Sequence, residues 1–153
     1  MSDMSITEFA DKISEVMPVV IKEFASRQEN ELYKGKITLP QFLILEYLCK
    51  DGESKMTELA RFMHVTTAAM TGIVSRLVRD RYAVRAFDPQ DRRIIKLEIT
   101  AKGAELVKKI DAQRRAMIIK IFGKISLSDR EDYLRILRHI RDVLLKQEQE
   151  AKD

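Results

Sequence analysis

Positions 66–79 combine helical spacing with an unusual outward face. Met70, Ile73 and Leu77 recur every three or four residues, so they are predicted to pack inward. The opposite side and its edges carry small residues, hydroxyls and arginines, with no acid and no long apolar side chain: Thr66, Thr67, Ala68, Thr71, Gly72, Ser75, Arg76 and Arg79. Small residues permit close approach of another surface, and hydroxyls and arginines bind phosphates and base edges. Solvated faces usually mix Glu and Lys, so this pattern favours a helix that contacts DNA.

Basic residues are concentrated in and just after this helix. Between Thr66 and Lys96, seven basic residues stand against three acids, so this segment carries the whole net charge of +4. A basic stripe on an otherwise neutral chain suggests contact with a polyanion. On charge alone, a solvated charged surface explains the segment equally well.

A β-hairpin is predicted directly after the helix. A run of β-formers leads into an Asp-Pro-Gln-Asp turn at 88–91, and apolar and charged residues alternate at 95–99. The turn should project Asp91, Arg92 and Arg93 from the body, where an arginine can enter a narrow minor groove. Asp91 is expected to orient a neighbouring arginine through a bidentate pair. Alternatively, an Asp–Arg pair only stabilises the hairpin, which at a surface is worth about 0–1 kcal/mol.

The elements that must hold these residues are indicated upstream. Thr38 begins a capping box, and the helix that it starts is predicted to stop at Gly52. A short helix at 56–63 and a tight turn then precede the helix of 66–79, which is the order of a helix-turn-helix. With the hairpin as a wing, positions 38–100 are predicted to form a winged helix-turn-helix lobe.

Long helices are predicted at both ends of the chain. The segment 5–30 places Phe9 and Ile13 on one face, and Pro18 is expected to kink or interrupt that helix. Thr100 starts another helix, and a second capping box at Ser128 starts the last one. The last helix carries three apolar residues with the spacing of a coiled-coil seam: Leu137, Ile140 and Leu144.

These terminal apolar faces are larger than one small core can cover, so we expect a two-fold dimer that buries them. The predicted fold is mostly α with a small β-hairpin wing, a winged helix-turn-helix with N- and C-terminal dimerisation helices. We treat 1–153 as a single domain, in which 38–100 is the DNA-binding lobe and 5–30 and 101–147 are the dimerisation helices.

Two motifs allow a comparison with a known family. The sequences RAFDPQDRR at 85–93 and KLEITAKG at 96–103 resemble the Asp-Pro-x-Asp-x-Arg wing and the Leu-Thr-x-x-Gly turn of the MarR family of winged-helix regulators. The resemblance extends over about 5–145. It implies a homodimer that binds palindromic double-stranded DNA, usually as a repressor, and it suggests a small phenolic or other lipophilic effector.

By the same resemblance, Asp91 and Arg93 are the wing residues and 66–79 is the recognition helix. One position departs from the family pattern, since Arg81 stands where the family usually has glycine. Either Arg81 adopts a left-handed backbone conformation or the recognition helix ends differently.

Enzymatic chemistry is not indicated by any motif. The sequence has no Ser-His-Asp or Cys-His spacing, no glycine-rich phosphate loop and no paired carboxylates. His64 and His139 are far apart and have no Cys or His neighbours, which argues against a zinc site. We therefore predict a non-enzymatic protein without a metal or cofactor.

The sequence also bears on location. No stretch approaches the ~20 apolar residues of a membrane span, and the first residues lack the apolar core of a signal peptide. The single cysteine, Cys49, suits a reducing compartment and is expected to be a small core residue rather than an oxidant sensor. The chain is thus predicted to be cytoplasmic and not bound to a membrane.

Two other classes were weighed. A winged helix can serve as a protein–protein interaction module in a larger assembly, but such a docking helix would expose aromatic or aliphatic anchors. An enzyme with an accessory winged helix would require a second domain, for which 153 residues leave no room.

Overall fold

The computed structural model describes residues 4–27, 32 and 34–150, and the chain divides into two compact units, Met1–Arg114 and Arg115–Asp153. The described residues form six helices and three strands in this order: α1 (Ile6–Ser26), α2 (Leu39–Asp51), β1 (Glu53–Lys55), α3 (Met56–Phe62), α4 (Thr67–Arg79), β2 (Ala83–Phe87), β3 (Ile95–Ile99), α5 (Ala101–Phe122) and α6 (Leu127–Glu150). This mostly helical architecture with a small antiparallel sheet confirms the predicted fold class.

The sheet has the strand order β1-β3-β2, with both pairings antiparallel. β2 and β3 are the predicted hairpin, and their register pairs Ala83 with Ile99 and Phe87 with Ile95. The sequence analysis did not find β1, which pairs Ser54 with Leu97. β1 has three residues, so it is too short to display the alternation by which strands are recognised.

A single apolar core lies beneath the helix-turn-helix. Its fully buried side chains come from α2, α3, α4, β3 and α5, and the largest are Phe42, Ile44, Leu45, Leu48, Leu59, Met70, Leu77, Leu97 and Ile110. The inward face of α4 differs from the prediction in one position. Val74 is fully buried and Ile73 only half-buried, because Met70, Val74 and Leu77 follow the i, i+4, i+7 spacing that centres on the core.

The predicted start and end of α2 are confirmed. The Thr38 hydroxyl oxygen accepts the backbone N–H of Gln41 (3.4 Å), and the Gln41 side-chain oxygen accepts the backbone N–H of Thr38 (2.9 Å). Gly52 closes the helix with φ 79°, a left-handed conformation in which glycine avoids the clash of a Cβ.

The terminal helices differ from the prediction in two places. α1 is not interrupted at Pro18, and its exposure lets water hydrate the carbonyl that a proline cannot bond. The cap of α6 is Ser126, not Ser128, because the Ser126 hydroxyl accepts the backbone N–H of Asp129 (3.1 Å). Positions 28–30 of the predicted first helix lie outside the described residues.

The base of the wing is tied to the helices on either side by Thr100. Its hydroxyl donates to the backbone carbonyls of Arg81 (2.7 Å) and Tyr82 (3.0 Å), and it accepts the N–H of Gly103 (3.1 Å). A Cβ at Gly103 would lie 2.1 Å from the Tyr82 carbonyl oxygen, so only glycine permits this approach.

Arg81 adopts the left-handed conformation, with φ 62°. It follows Asp80, the residue that closes α4, and the Lys102 ammonium donates to the Asp80 carbonyl (2.8 Å). A residue with a Cβ is disfavoured in this region by roughly 1–2 kcal/mol. Arg81 therefore takes the conformation that glycine has in the family pattern, at the cost of backbone strain, and α4 ends just before it.

We expect Arg81→Gly to raise the free energy of unfolding by roughly 0.5–1 kcal/mol, since relief of strain exceeds the added chain entropy. Urea unfolding followed by circular dichroism measures the change. Arg81→Ala is the matched control, because it removes the same charge but keeps the Cβ, and it should leave stability within about 0.5 kcal/mol. Equal stabilisation by both variants would show that side-chain loss, and not backbone strain, is responsible.

Candidate nucleic-acid interface

The outward face of α4 is exposed along its whole length. Every residue predicted for this face is on the surface: Thr66, Thr67, Ala68, Thr71, Gly72, Ser75, Arg76 and Arg79. Thr66 also caps the helix, as its hydroxyl oxygen accepts the backbone N–H of Ala69 (3.1 Å). The surface position of these residues is thus established, and their contact with DNA stays a prediction.

Gly72 lies in the middle of this face without any steric need for glycine. A Cβ built there meets nothing within 4 Å, and the backbone is helical. Alanine would therefore fit the folded chain and would favour the helix. The absent side chain leaves the backbone accessible beside Thr71 and Ser75, which suits an external surface that approaches closely.

Two of the hydroxyls on this face, those of Thr71 and Ser75, are oriented by the helix itself. Thr71 donates its hydroxyl proton to the carbonyl of Thr67 (3.0 Å), and Ser75 donates to the carbonyl of Thr71 (2.7 Å). Each hydroxyl has a single proton, so both present only acceptor positions outward.

Arg85, on β2, connects the wing to α4. Its guanidinium Nη2 donates to the Ser75 hydroxyl oxygen (3.2 Å). Arg85 contributes to the basic charge of the segment 66–96 but is not among the residues predicted for the site. The strand register could have indicated it, because Arg85 pairs with the buried Leu97 and lies on the same face of the hairpin as the buried Ala83, although its own side chain is exposed.

Arg79 is partly neutralised at the end of α4. Its guanidinium makes two hydrogen bonds with the Asp80 carboxylate, at 2.9 Å and 3.2 Å. These bonds raise the pKa of Arg79 and lower that of Asp80. The pair is exposed, so it holds the arginine in place at small energetic gain and weakens its field towards a phosphate.

Lys96 is not part of the exposed basic stripe, although it contributes to the segment's charge. Its ammonium lies 2.8 Å from Glu53 and 3.1 Å from Asp88, and its side chain is 19% exposed. These two carboxylates raise the pKa of Lys96. Lys96 thereby joins β1, β3 and the turn of the wing.

Asp88 organises that turn. Its Oδ1 accepts the backbone N–H groups of Gln90 (2.8 Å) and Asp91 (3.2 Å), while Oδ2 faces Lys96. The Gln90 N–H and then the Lys96 ammonium lower the pKa of Asp88. The turn therefore has a fixed shape before any ligand is bound.

The predicted bidentate pair between Asp91 and an arginine is not observed. Asp91 instead accepts the backbone N–H of Arg93 (3.0 Å), which is the local bond that an Asp makes two residues ahead in a turn. In the part of the chain that the structure describes, neither Arg92 nor Arg93 has a side-chain hydrogen bond or ion pair, and both are exposed. Two unpaired guanidinium groups therefore mark the end of the wing.

The residues predicted for dimerisation are all exposed in the single chain. α1 has no buried residue, and Phe9 and Ile13 are 49% and 39% exposed. The three residues of the α6 seam are exposed to a similar extent: Leu137, Ile140 and Leu144. Their burial between two chains stays a prediction.

Cys49 is exposed, which contradicts its assignment to the core. It falls on the outer side of the last turn of α2. Partial burial and the negative charges of Asp111 and Glu46 raise the pKa of its thiol, so the reactive thiolate is disfavoured.

The described residues contain no group of three His, Cys, Asp or Glu side chains that could hold a metal ion. No helix among them has the length and apolar character needed to cross a membrane.

Comparison with known proteins places this geometry in a family. The model of the MarR family matches residues 36–94, which span the helix-turn-helix and most of the wing. The uncharacterised regulator YpoP of Bacillus subtilis is 28% identical over 93 residues, covering 61% of this chain and 66% of YpoP, just under two thirds of that relative. The repressor YetL of the same organism is 27% identical over 134 residues, covering 88% of this chain and 75% of YetL.

A solved structure extends the similarity to nearly the full length. A MepR-like protein, crystallised with pseudoligands, is 31% identical and superimposes with a TM-score of 0.59, covering 88% of this chain and 94% of that one. The relatives are regulators of transcription, which confirms the prediction that the chain is not an enzyme. With a matching family model, a near full-length relative and an exposed helix beside a wing, the chain belongs to the MarR family of DNA-binding, winged helix-turn-helix transcriptional regulators.

Proposed function

We propose that the chain acts as a homodimeric, ligand-responsive repressor that binds palindromic operators. α4 of each protomer enters a major groove, and each wing enters the flanking minor groove. The observation that carries the proposal is the exposed face of α4, which lacks acids and apolar anchors, beside a wing that ends in two unpaired arginines.

The dimensions of the two elements support this docking. α4 has 13 residues and is therefore roughly 20 Å long, and a helix fits a major groove of about 12 Å width. The wing turn is rigid through Asp88 and Lys96, so Arg92 and Arg93 are presented without a large ordering cost. Arginine is favoured in a narrow minor groove, where the potential is most negative.

The alternative of a protein-docking winged helix lacks support at the same face. Protein interfaces depend on buried aromatic and aliphatic anchors. Thr71, Gly72 and Ser75, at the centre of the α4 face, provide none.

The proposal of a dimer rests on the terminal helices. Large apolar side chains recur along α1 and α6, and all of those in α6 that the structure describes are exposed in the single chain: Leu127, Tyr133, Leu134, Ile136, Leu137, Ile140, Val143, Leu144 and Leu145. Exposed apolar area of this extent normally marks an interface. A two-fold dimer would bury it and would match the symmetry of a palindrome.

Repression and response to an effector rest on relatives. YetL is named a repressor, and the MepR-like structure holds pseudoligands. A phenolic or lipophilic effector would act by binding one spacing of the two recognition helices better than the other, because equal affinity shifts no equilibrium.

The first expectation concerns assembly. Sedimentation at micromolar concentration should give about twice the chain mass of 17.8 kDa. Leu137→Asp should shift the distribution towards the monomer, since it places a charge in the predicted interface. His139→Asp introduces the same charge on the polar side of α6, which also carries Arg135 and Lys146, and serves as the control. A wild-type protein that sediments as a monomer would refute the proposed architecture.

The second expectation concerns the effector. Titration of salicylate and related aromatic acids into a fluorescent protein–operator complex should release DNA at a concentration that rises with the amount of operator, as linkage requires. Sodium benzenesulfonate and acetate control for ionic strength and simple acidity. If no member of a broad panel releases DNA, the chain is a constitutive regulator or responds to a different chemistry.

The third expectation concerns the wing. Arg93→Ala should weaken operator binding at least about tenfold at physiological salt, because a dimer loses two arginine contacts. The dependence of affinity on salt should also become shallower, since fewer counterions are released. Asp91→Ala should weaken binding less, as it removes only the acceptor that shapes the backbone at Arg93.

Lys108→Ala is the matched control for Arg93→Ala, being an exposed basic residue on α5. Lys102 is unsuitable, because it donates to the Asp80 carbonyl and lies over the Tyr82 ring. Thermal unfolding should be nearly unchanged in both variants. Wild-type affinity for Arg93→Ala would exclude the wing from the DNA interface.

A further inference from the structure

The hydrogen bonds of Ser75 leave its hydroxyl able to accept one further hydrogen bond. Its proton goes to the Thr71 carbonyl (2.7 Å), and one of its two acceptor positions is taken by the Arg85 guanidinium (3.2 Å). A serine hydroxyl has one donor and two acceptors in all. The side chain of Ser75 is exposed, and its hydroxyl oxygen keeps one acceptor position, which is directed away from the helix carbonyls.

A hydroxyl that can only accept a hydrogen bond distinguishes the donor groups of DNA from its acceptor groups. Phosphate oxygens, guanine O6 and N7, and thymine O4 are acceptors, so none of them can bond to an acceptor. The donors in the major groove are the exocyclic amino groups, N6 of adenine and N4 of cytosine.

We propose that Ser75 is a specificity-determining residue that accepts a hydrogen bond from the exocyclic amino group of an adenine or cytosine, and that Arg85 is the positioning residue that keeps the Ser75 oxygen in this state. The inference rests on the proposed function, in which α4 lies in the major groove. It goes further by assigning one chemical group of the operator to one side chain.

The role of Arg85 follows from its place in the wing. It lies on β2 across from Leu97, whose side chain is fully buried, so its backbone is held by the core. By donating to Ser75 it opposes rotation of the hydroxyl away from the Thr71 carbonyl, because rotation would turn a donor towards a donor. Through Arg85, the wing thereby affects base recognition by α4.

The test begins with wild-type protein and duplexes selected from random DNA. Within each selected half-site, every adenine is replaced in turn by purine and every cytosine by 2-pyrimidinone, each of which lacks only the amino group. At one position per half-site, loss of the amino group should weaken wild-type binding about three- to tenfold, the effect of a single hydrogen bond. The analogue that acts there identifies the base as adenine or cytosine.

Ser75→Ala should weaken binding to the natural duplex by that factor for each half-site, because the dimer loses the contact twice, and it should be insensitive to the analogue at that position. Its dependence on salt should equal that of wild type, since no phosphate contact is lost. Ser128→Ala, an exposed serine of α6, is the control and should behave as wild type.

In the wild-type background, Arg85→Ala should reduce the sensitivity of binding to the analogue. In the Ser75→Ala background the same substitution should cause little further loss, because the effects of two coupled residues are not additive. Arg85→Lys should restore part of the sensitivity to the analogue. If Arg85→Ala instead weakens binding equally in both backgrounds and flattens the salt dependence, Arg85 contacts phosphate and its positioning role is refuted.

The failure of this inference can be told apart from failure of the proposed function. If wild-type protein selects no sequence, the proposed function fails. If it selects an operator whose amino-group sensitivities are the same in wild type and Ser75→Ala, the assignment of Ser75 is wrong while the regulator function stands.

Discussion

One hydroxyl group joins the base of the wing to the helices on either side of it, α4 and α5. Thr100 bonds to the carbonyls of Arg81 and Tyr82 and to the N–H of Gly103. The end of α4, the start of β2, the end of β3 and the start of α5 therefore meet at a single point. The close approach of Gly103 to the Tyr82 carbonyl is part of the same junction. This junction and the hydrogen bond between Arg85 and Ser75 both join the wing to α4.

Four of the seven basic residues in 66–96 fall into two groups with different tasks. Lys96 and Arg79 are paired with carboxylates, and their charge fixes the wing turn and the end of α4. Arg92 and Arg93 have no such partner among the described residues and present their full charge outward. The net charge of the segment thus overstates what is available to a polyanion, and a count of basic residues cannot show the difference.

Local signals made much of the fold predictable. The capping box at Thr38, the left-handed Gly52 and the hairpin turn at 88–91 depend on residues a few positions apart, so the sequence contains the complete interaction. Ser126 was missed because Ser126 and Ser128 both have an acidic residue three positions later, so both satisfy the same short capping pattern. β1 was missed because its pairing partner, β3, lies more than 40 residues away and its own three residues show no periodicity.

The exposed face of the candidate site was also predictable, since helical spacing alone separates Thr71 and Ser75 from Met70 and Leu77. The internal bonds of the site were not. The contact of Arg85 with Ser75 depends on the angle between a strand and a helix, which the core sets. Asp91 accepts a backbone N–H rather than a guanidinium N–H because of the turn conformation, which the residue types alone do not determine.

Gly72 has a consequence for anyone who would engineer this protein. It is a helical position where alanine fits without a clash and improves helix propensity by about 1 kcal/mol. A library screened only for heat resistance would enrich that change early. If α4 lies in a major groove, as proposed, the methyl group would stand between the helix backbone and the base pairs and would weaken operator binding. Selection at this site must therefore score DNA retention together with melting temperature.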